Sequence, residues 1–157
     1  GAEVLVVGTE KDEQVRLSAA GELGFRTLIV GQSHLPLHEQ VEKQFPGGAD
    51  ALIEASGSPF ALGDSWRSVR PDGVVTAVAL YARAIELDLT QFLRKQIDLR
   101  TSYASSRADY NRAFELLRNG DVESNILLSF YNLTEAEQGF ADSESLKVMK
   151  AMINCQS

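Results

Sequence analysis

Glu3-Val4-Leu5-Val6-Val7-Gly8-Thr9-Glu10-Lys11 begins as a strand and ends as the start of a helix. The four consecutive apolar residues 4–7 are typical of a parallel strand that is covered on both faces. Gly8 ends this strand, and Thr9 is followed three residues later by Asp12, which is the spacing of a capping box at a helix N-terminus. The opening residues therefore predict a strand–helix unit of a parallel sheet.

The same alternation of apolar runs and helical segments continues along the chain. Further strands are predicted at residues 27–30, 51–55, 74–80 and 97–103, with helices at residues 38–45 and 90–95. Ser58 is the expected N-cap of a helix that starts at Pro59 and buries Leu62, Trp66 and Val69. Strands that alternate with helices indicate βαβ units and a mostly parallel sheet with flanking helices, an α/β fold.

The pattern becomes less regular after the fifth strand. Ile97–Tyr103 alternates apolar and polar residues, so one face of this strand is expected to be wetter, as at the edge of a sheet. Ser106 with Asp109 predicts a capped helix that stops at Gly120, and Thr134 with Glu137 predicts a further capping box. A strand or extended segment is expected at residues 126–130, and a last short strand or helix at residues 147–153.

Composition excludes several classes of function. The chain has 157 residues with a net charge of −7, so we expect no nucleic-acid partner, because phosphate binding depends on Lys and Arg. Cys155 is the single cysteine, which excludes an internal disulfide and fits a reducing, cytoplasmic location. No apolar run approaches the ~20 residues of a membrane span, and no signal peptide is recognised, so no membrane partner is expected.

Four motifs in this order carry a resemblance to a known family. They are Gly48–Pro59 (GADALIEASGSP), Val69–Val75 (VRPDGVV), Phe92–Arg100 (FLRKQIDLR) followed by Ser102-Tyr103, and Tyr131–Phe140 (YNLTEAEQGF). Together they resemble the C-terminal half of the zinc-type medium-chain alcohol, sorbitol and threonine dehydrogenases, over nearly the whole chain. The resemblance implies a Rossmann-like fold whose sheet has the strand order 3-2-1-4-5-6.

The resemblance also implies what the chain lacks. Residues 1–103 would be a partial Rossmann nucleotide-binding domain that supplies family strands two to six, without the first strand and its glycine-rich turn. Residues 104–157 would be a helical and extended C-terminal extension packing on it. The Cys, His and Glu residues that hold the catalytic zinc of the family belong to an N-terminal domain, so no catalytic residue and no metal ligand is predicted in this chain.

The first predicted cofactor contact is the segment after the first strand. The resemblance places Gly8, Thr9, Glu10 and Lys11 where a carboxylate meets the adenosine ribose, with Glu10 as the first candidate and Asp12 as the next. Alternatively, both acids only stabilise a helix N-terminus. Lys11, or a second basic residue at position 16, could instead pair with a 2′-phosphate, so the cofactor is NAD or NADP.

Two more segments complete the predicted site. Ser56, Gly57 and Ser58 follow a strand at its carboxyl end, where ligands bind in open α/β sheets. They could also form only a turn plus an N-cap, and the two interpretations are compatible. On the resemblance, Val78, Ala79 and Leu80 line the nicotinamide end, and without it they would be core residues. At position 79 the family usually has glycine, and a methyl group there could narrow the cofactor channel.

The sequence therefore predicts a nucleotide-binding fragment of an NAD(P)-dependent zinc-type alcohol or polyol dehydrogenase. The parent enzyme would transfer a hydride, whereas this chain alone would be inactive and would bind the dinucleotide weakly. Family dimers pair across the strand that Ile97–Tyr103 resembles, so a homodimer through this strand is expected. The alternative is a non-catalytic α/β module for binding or assembly.

Overall fold

In the computed structural model, which describes residues 1–156, all the strands pair in parallel and helices connect them. The strands are β1 (Leu5–Gly8), β2 (Arg26–Ile29), β3 (Ala49–Glu54), β4 (Val69–Ala77), β5 (Asp98–Thr101), β6 (Leu128–Asn132) and β7 (Lys150–Asn154). The α-helices are α1 (Ser18–Glu22), α2 (Leu37–Gln44), α3 (Pro59–Ser65), α4 (Leu89–Arg94), α5 (Arg107–Asn119) and α6 (Ala136–Glu144). Short 3₁₀ segments lie at Glu10–Asp12, Trp66–Ser68, Asn125–Leu127 and Leu133–Glu135, and a π-helical turn lies at Glu13–Leu17. The predicted α/β class is confirmed.

The described chain divides into two compact units. The first unit contains residues 1–32 together with the residues from Ser106 onward, and the second unit contains Ser33–Ser105. The predicted boundary after residue 103 lies close to the end of the second unit. The predicted grouping of residues 1–103 into one domain stays a prediction.

The first strand of the first unit begins at Leu5, slightly later than predicted, and has the predicted cap. β1 pairs with β2 from Leu5 opposite Arg26 to Gly8 opposite Ile29. The Thr9–Asp12 capping box is present, and the Thr9 N–H donates to Asp12 Oδ2 at 2.9 Å. The predicted burial of both faces is wrong for residues 1–156. Val4 and Val7, which alternation places on opposite faces, are 42% and 38% exposed.

The second part of the first unit is a β–α–β crossover. β6 and β7 pair in parallel from Leu128 opposite Lys150 to Asn132 opposite Asn154. The intervening helix α6 approaches this pair closely at Gly139, where a Cβ atom would lie 3.1–3.2 Å from side-chain atoms of Ile153 and Tyr131.

The cap before α6 differs from the prediction. The capping box is formed by Asn132 and Glu135, with the Asn132 N–H donating to Glu135 Oε2 at 2.9 Å, and not by Thr134 and Glu137. The reason is that β6 ends at Asn132, so the chain already turns into a 3₁₀ segment there. Thr134 lies inside that segment and cannot cap it.

The second unit contains a three-stranded sheet in the order β3-β4-β5 and the main apolar core. The predicted burial is confirmed: Leu62, Trp66 and Val69 are 8%, 1% and 0% exposed. The rings of Trp66 and Phe92 lie 5.3 Å apart at an interplanar angle of 58°, a tilted arrangement that aromatic pairs prefer. This core fixes the ends of β3 and β4, where the candidate site lies.

The edge strand β5 is more exposed than its sequence predicted. All four residues of β5 are exposed, including Leu99 at 47%, so alternation in sequence does not become alternation in burial. Of the predicted strand at residues 97–103, only Ile97, just before β5, packs against the core. The strand lies at the edge of the β3-β4-β5 sheet with its predicted parallel partner β4.

The observed strand pairs match the family strand order 3-2-1-4-5-6 on either side of strand one. The β1–β2 pair corresponds to family strands two and three, and β3-β4-β5 corresponds to strands four, five and six. Within residues 1–156, no hydrogen-bonded ladder joins β1 to β3. Each of these strands therefore has one partner in its own sheet.

Candidate functional site at the carboxyl ends of the strands

A buried carboxylate organises the carboxyl end of β3. Glu54 is the last residue of the strand and is only 5% exposed. Its Oε1 accepts hydrogen bonds from the Ser56 N–H at 2.9 Å and from the Ser56 hydroxyl, while its Oε2 accepts one from the Tyr81 hydroxyl. A buried charge is tolerated only when it is paired or hydrogen-bonded, and these contacts meet that condition.

The predicted segment Ser56–Ser58 forms a turn that leads into α3. The Ser58 N–H donates to Ser56 Oγ at 3.1 Å, and Ser58 Oγ in turn accepts from the Ala61 N–H at 3.4 Å, which confirms the predicted N-cap. Gly57 has φ +71°, a left-handed conformation that favours glycine. The turn therefore requires serine hydroxyls at positions 56 and 58, which accept hydrogen bonds from backbone N–H groups, and favours glycine at position 57.

The predicted segment Val78–Leu80 lies directly against this turn. The Val78 N–H donates to the backbone oxygen of Glu54 at 3.0 Å, which continues the β3–β4 pairing. A Cβ atom on Gly57 would lie 2.7 Å from the Leu80 carbonyl oxygen and 3.6 Å from the Ala79 Cβ. The structure thus brings two of the three predicted segments together in the second unit.

Exposure distinguishes between the two interpretations of residues 78–80. Val78 is 42% exposed and Leu80 is 76% exposed, so neither is a core residue of the described chain. Large apolar side chains beside a strand end offer a surface that an aromatic ring can cover. Ala79, the departure from the family pattern, lies between them and faces the glycine turn.

The electrostatics of the site follow from these contacts. Burial acts to raise the pKa of Glu54, but the hydrogen bonds from Ser56 and Tyr81 and from the N–H groups of Ser56 and Gly57 outweigh it, so the pKa lies below its ordinary value. Burial, together with the hydrogen bond to the Glu54 carboxylate and its negative charge, raises the pKa of Tyr81. The pair is therefore a carboxylate and a neutral phenol at neutral pH.

Sequence reasoning missed Glu54 and Tyr81 as members of the site. The available signal was an acidic residue inside the otherwise apolar run Ala51–Ala55, which must find a partner if the strand is buried. The partner itself lies 27 residues further along the chain, and no local pattern indicates it.

The third predicted segment, Gly8–Lys11, lies at the carboxyl end of β1 in the first unit. Asp12 accepts from the Thr9 hydroxyl at 2.7 Å and forms an ion pair with Arg16 at 2.8 Å. Burial acts to raise the pKa of Asp12, but the hydrogen bonds from Thr9 and Arg16 lower it overall. The Glu10 carboxylate is exposed and forms no hydrogen bond or ion pair with the described residues. Of the two candidate acids, only Asp12 is already engaged at the helix start.

Neither a group of metal-ligating side chains nor a membrane-spanning helix is present within residues 1–156. Within residues 1–156, no three His, Cys, Asp or Glu side chains are grouped so that they could hold a metal ion. Over the same residues, no helix combines the length and the apolar character that crossing a bilayer requires.

Comparison with known proteins places the chain in a family. The family of zinc-binding dehydrogenases matches residues 1–119. The 2-dehydro-3-deoxy-L-galactonate 5-dehydrogenase of Pseudoalteromonas atlantica is 28% identical over 161 residues, which cover 100% of this chain and 46% of that protein. The sorbitol dehydrogenase of Halalkalibacterium halodurans is 28% identical over 156 residues, covering 98% and 45%.

A solved structure shows the same fold. The 2R,3R-butanediol dehydrogenase from Bacillus subtilis superposes with a TM-score of 0.85 at 19% identity, covering 98% of this chain and 44% of that one. The chain thus spans a little under half the length of the proteins it matches. Because the family match extends over most of its length, the chain belongs to the zinc-binding dehydrogenase family.

Proposed function

We propose that this chain is the nucleotide-binding part of an NAD(P)-dependent dehydrogenase that acts on polyols or secondary alcohols. The observation that carries the proposal is the match to the zinc-binding dehydrogenases over residues 1–119, which contain all the predicted cofactor segments. The names of the two relatives, a sugar-acid dehydrogenase and a sorbitol dehydrogenase, support a hydroxylated substrate.

Two groups of residues, described separately in the two units, support binding of a dinucleotide. At the adenosine end, the free carboxylate of Glu10 can accept hydrogen bonds from both ribose hydroxyls, and it follows Gly8 at a strand end. At the nicotinamide end, the exposed side chains of Val78 and Leu80 offer apolar surface beside the Ser56–Ser58 turn. We therefore assign Gly8–Lys11 to the adenosine end and the other two segments to the nicotinamide end.

The chemistry of the parent enzyme depends on groups beyond this chain's own residues. A bound nicotinamide would supply hydride transfer, and the zinc that the family resemblance implies would polarise the alcohol oxygen. In this proposal the role of this chain's residues is to bind and orient the cofactor. We accordingly expect no alcohol oxidation by residues 1–157 alone.

The choice between NAD and NADP depends on the Gly8–Lys11 segment. Glu10 favours NAD, because a carboxylate would repel a 2′-phosphate. Arg16, which could have paired with that phosphate, is already paired with Asp12 at 2.8 Å, so Lys11 is the one remaining candidate of the two basic residues. Glu10 therefore supports NAD, and Lys11 keeps NADP as the alternative.

A titration with NAD, followed by two-dimensional amide NMR, tests the proposal. A glycine-rich turn at a helix N-terminus supplies much of the pyrophosphate affinity in this fold, and residues 1–157 contain no G-x-G-x-x-G turn. We therefore expect weak, millimolar binding of NAD, about −4 kcal/mol. Shifts should concentrate at Gly8–Lys11, Ser56–Ser58 and Val78–Leu80. Glu10→Gln should weaken binding, and Glu22→Gln, an exposed acid elsewhere in the first unit, should not.

Two outcomes would contradict this assignment. Shifts scattered over the surface, or absent at millimolar NAD, would favour the alternative of a non-catalytic module for binding or assembly. Micromolar affinity would contradict the expected dependence on the glycine-rich turn. A cytoplasmic location and a homodimer are further parts of the proposal.

A further inference from the structure

One carboxylate links two chain segments that are far apart in sequence. Glu54 Oε1 accepts hydrogen bonds from Ser56, which lies just after β3. Its Oε2 accepts one from Tyr81, which lies just after β4. These two segments are neighbours because β3 and β4 pair in parallel up to Glu54 opposite Ala77. The side chain of Glu54 therefore spans the gap between the two strand ends.

The contacts extend this link into the turn. Ser56 uses its hydroxyl hydrogen on Glu54 and its hydroxyl oxygen to accept from the Ser58 N–H, so the turn is tied to the same carboxylate. The Leu80 carbonyl lies so close to Gly57 that a Cβ atom at position 57 would come within 2.7 Å of its oxygen, so the turn and the Val78–Leu80 segment are close neighbours. Both oxygens of Glu54 are engaged, and the residue is 5% exposed, so it has no direct access to a ligand.

We propose that Glu54 is a positioning residue, which acts through Ser56 and Tyr81 to hold the Ser56–Ser58 turn and the Val78–Leu80 segment in the arrangement that receives the nicotinamide end of the cofactor. This inference rests on the proposed function. The hydroxyl of Tyr81 is the group that donates to Glu54, and Tyr81→Phe removes this hydrogen bond while the ring fills the same space. Preorganised loops bind a ligand more tightly because they lose less freedom on binding.

The first test measures coupling of the two segments without ligand. In Tyr81→Phe, amide hydrogen exchange at Ser56 and Gly57 should become about tenfold faster, because Glu54 loses one of the bonds that fix it. Exchange within the β3–β4 ladder should stay unchanged. The matched control is Tyr103→Phe in the same unit, where the tyrosine is 82% exposed and forms no hydrogen bond with the described residues.

The second test compares two ligands by their NMR shifts. Tyr81→Phe should reduce the NAD-induced shifts at residues 56–58 and 78–80 about tenfold at sub-saturating NAD. AMP, which offers only the adenosine end, should shift Gly8–Lys11 equally in the variant and the wild type. A residue that merely stabilises the fold would not separate the two ligands. Glu54→Gln, which keeps the side-chain volume, replaces Tyr81→Phe if that variant does not fold.

Each outcome decides the matter. Unchanged exchange at Ser56 and Gly57, or equal NAD shifts in the wild type and the variant, would overturn the positioning role while leaving the proposed function intact. Absence of shifts in the wild type with both NAD and AMP would overturn the proposed function and this inference with it. Equal loss of NAD and AMP binding in the variant would indicate a general structural role and would also overturn the inference.

Discussion

At the scale of single residues, Glu54 and Tyr81 make folding depend on pH. The pKa of Glu54 lies below its ordinary value of 4.5 in the folded chain, so its contribution to stability is complete above pH 4.5 and is lost as the pH falls through the lower folded pKa. The pKa of Tyr81 is raised above 10.0, so its contribution is complete below pH 10 and is lost as the pH rises through the folded pKa.

The pH prediction is tested by the difference between the wild type and Glu54→Gln. The difference in thermal midpoint should be constant near neutral pH and should shrink below about pH 4.5, because only the wild type loses a carboxylate there. Other carboxyl groups titrate in both proteins and cancel in the difference. A difference that grows on acidification would have the wrong sign for a lowered pKa.

Gly57 is the second residue whose role depends on local geometry. Gly57→Ala combines a positive φ of +71° with a Cβ atom 2.7 Å from the Leu80 oxygen, so we expect a loss of about 1–3 kcal/mol in the free energy of unfolding. Gly47→Ala is the matched control, because Gly47 has φ +88° but no atom within 4 Å of its Cβ position. Chemical denaturation of both variants separates the steric conflict from the backbone strain. Equal losses would show that the contact with Leu80 is unimportant.

At the scale of the elements, the caps decide where helices begin. The Ser106–Asp109 box before α5 and the Thr9–Asp12 box follow their predicted spacing, because both partners lie within one turn of each other. The cap before α6 moved to Asn132 because the end of β6, set by its pairing with β7, determines where the chain can turn. A capping signal is therefore reliable only once the preceding strand is fixed.

The displaced cap gives a test at this scale. Asn132→Ala should lower the free energy of unfolding by about 1 kcal/mol, because it removes the observed N-cap. Thr134→Ala, the matched control, should change it by less than about 0.5 kcal/mol, since Thr134 is exposed and lies inside the 3₁₀ segment. A larger loss for Thr134→Ala than for Asn132→Ala in denaturant titrations would show that Thr134 is the cap, as the sequence predicted.

At the scale of the whole molecule, the open edge of β5 supports the proposed homodimer. The Ser102 N–H donates to the Ala77 oxygen at 3.1 Å, so by alternation the N–H groups of residues 98 and 100 also face β4 and that of Leu99 points away from it. Leu99 and Tyr103 are 47% and 82% exposed. An outward N–H row beside exposed apolar side chains suits antiparallel pairing with a second copy.

Proline substitutions test the dimer in a way that follows from this alternation. Leu99→Pro removes an outward N–H and should give a monomer of nearly unchanged stability by light scattering at micromolar concentration. Arg100→Pro, the matched control, removes an inward ladder bond and should destabilise the sheet itself. A monomeric wild type, or a dimer that tolerates Leu99→Pro, would rule out this interface; Asp98 and Arg100, paired at 2.7 Å, would then serve to protect the edge.

Local sequence determined the elements of this protein and their order. Apolar runs such as Val4–Val7 and signals such as Ser58-Pro59 act within a few residues, so the approximate positions of strands and helices could be predicted from neighbouring side chains, although not all of their ends. The motif order along the chain also identified the family, which the match to residues 1–119 confirms.

Only the tertiary structure decided which side chains meet and which remain in contact with water. Tyr81 reaches Glu54 because two strands pair across 27 residues, and a single sequence carries no signal at that distance. The exposure of Val7 and Leu99 depends on what covers each sheet face, which periodicity cannot specify. Hydrogen-bond partners and burial are properties of the packed chain, because they depend on residues that folding brings together from distant positions.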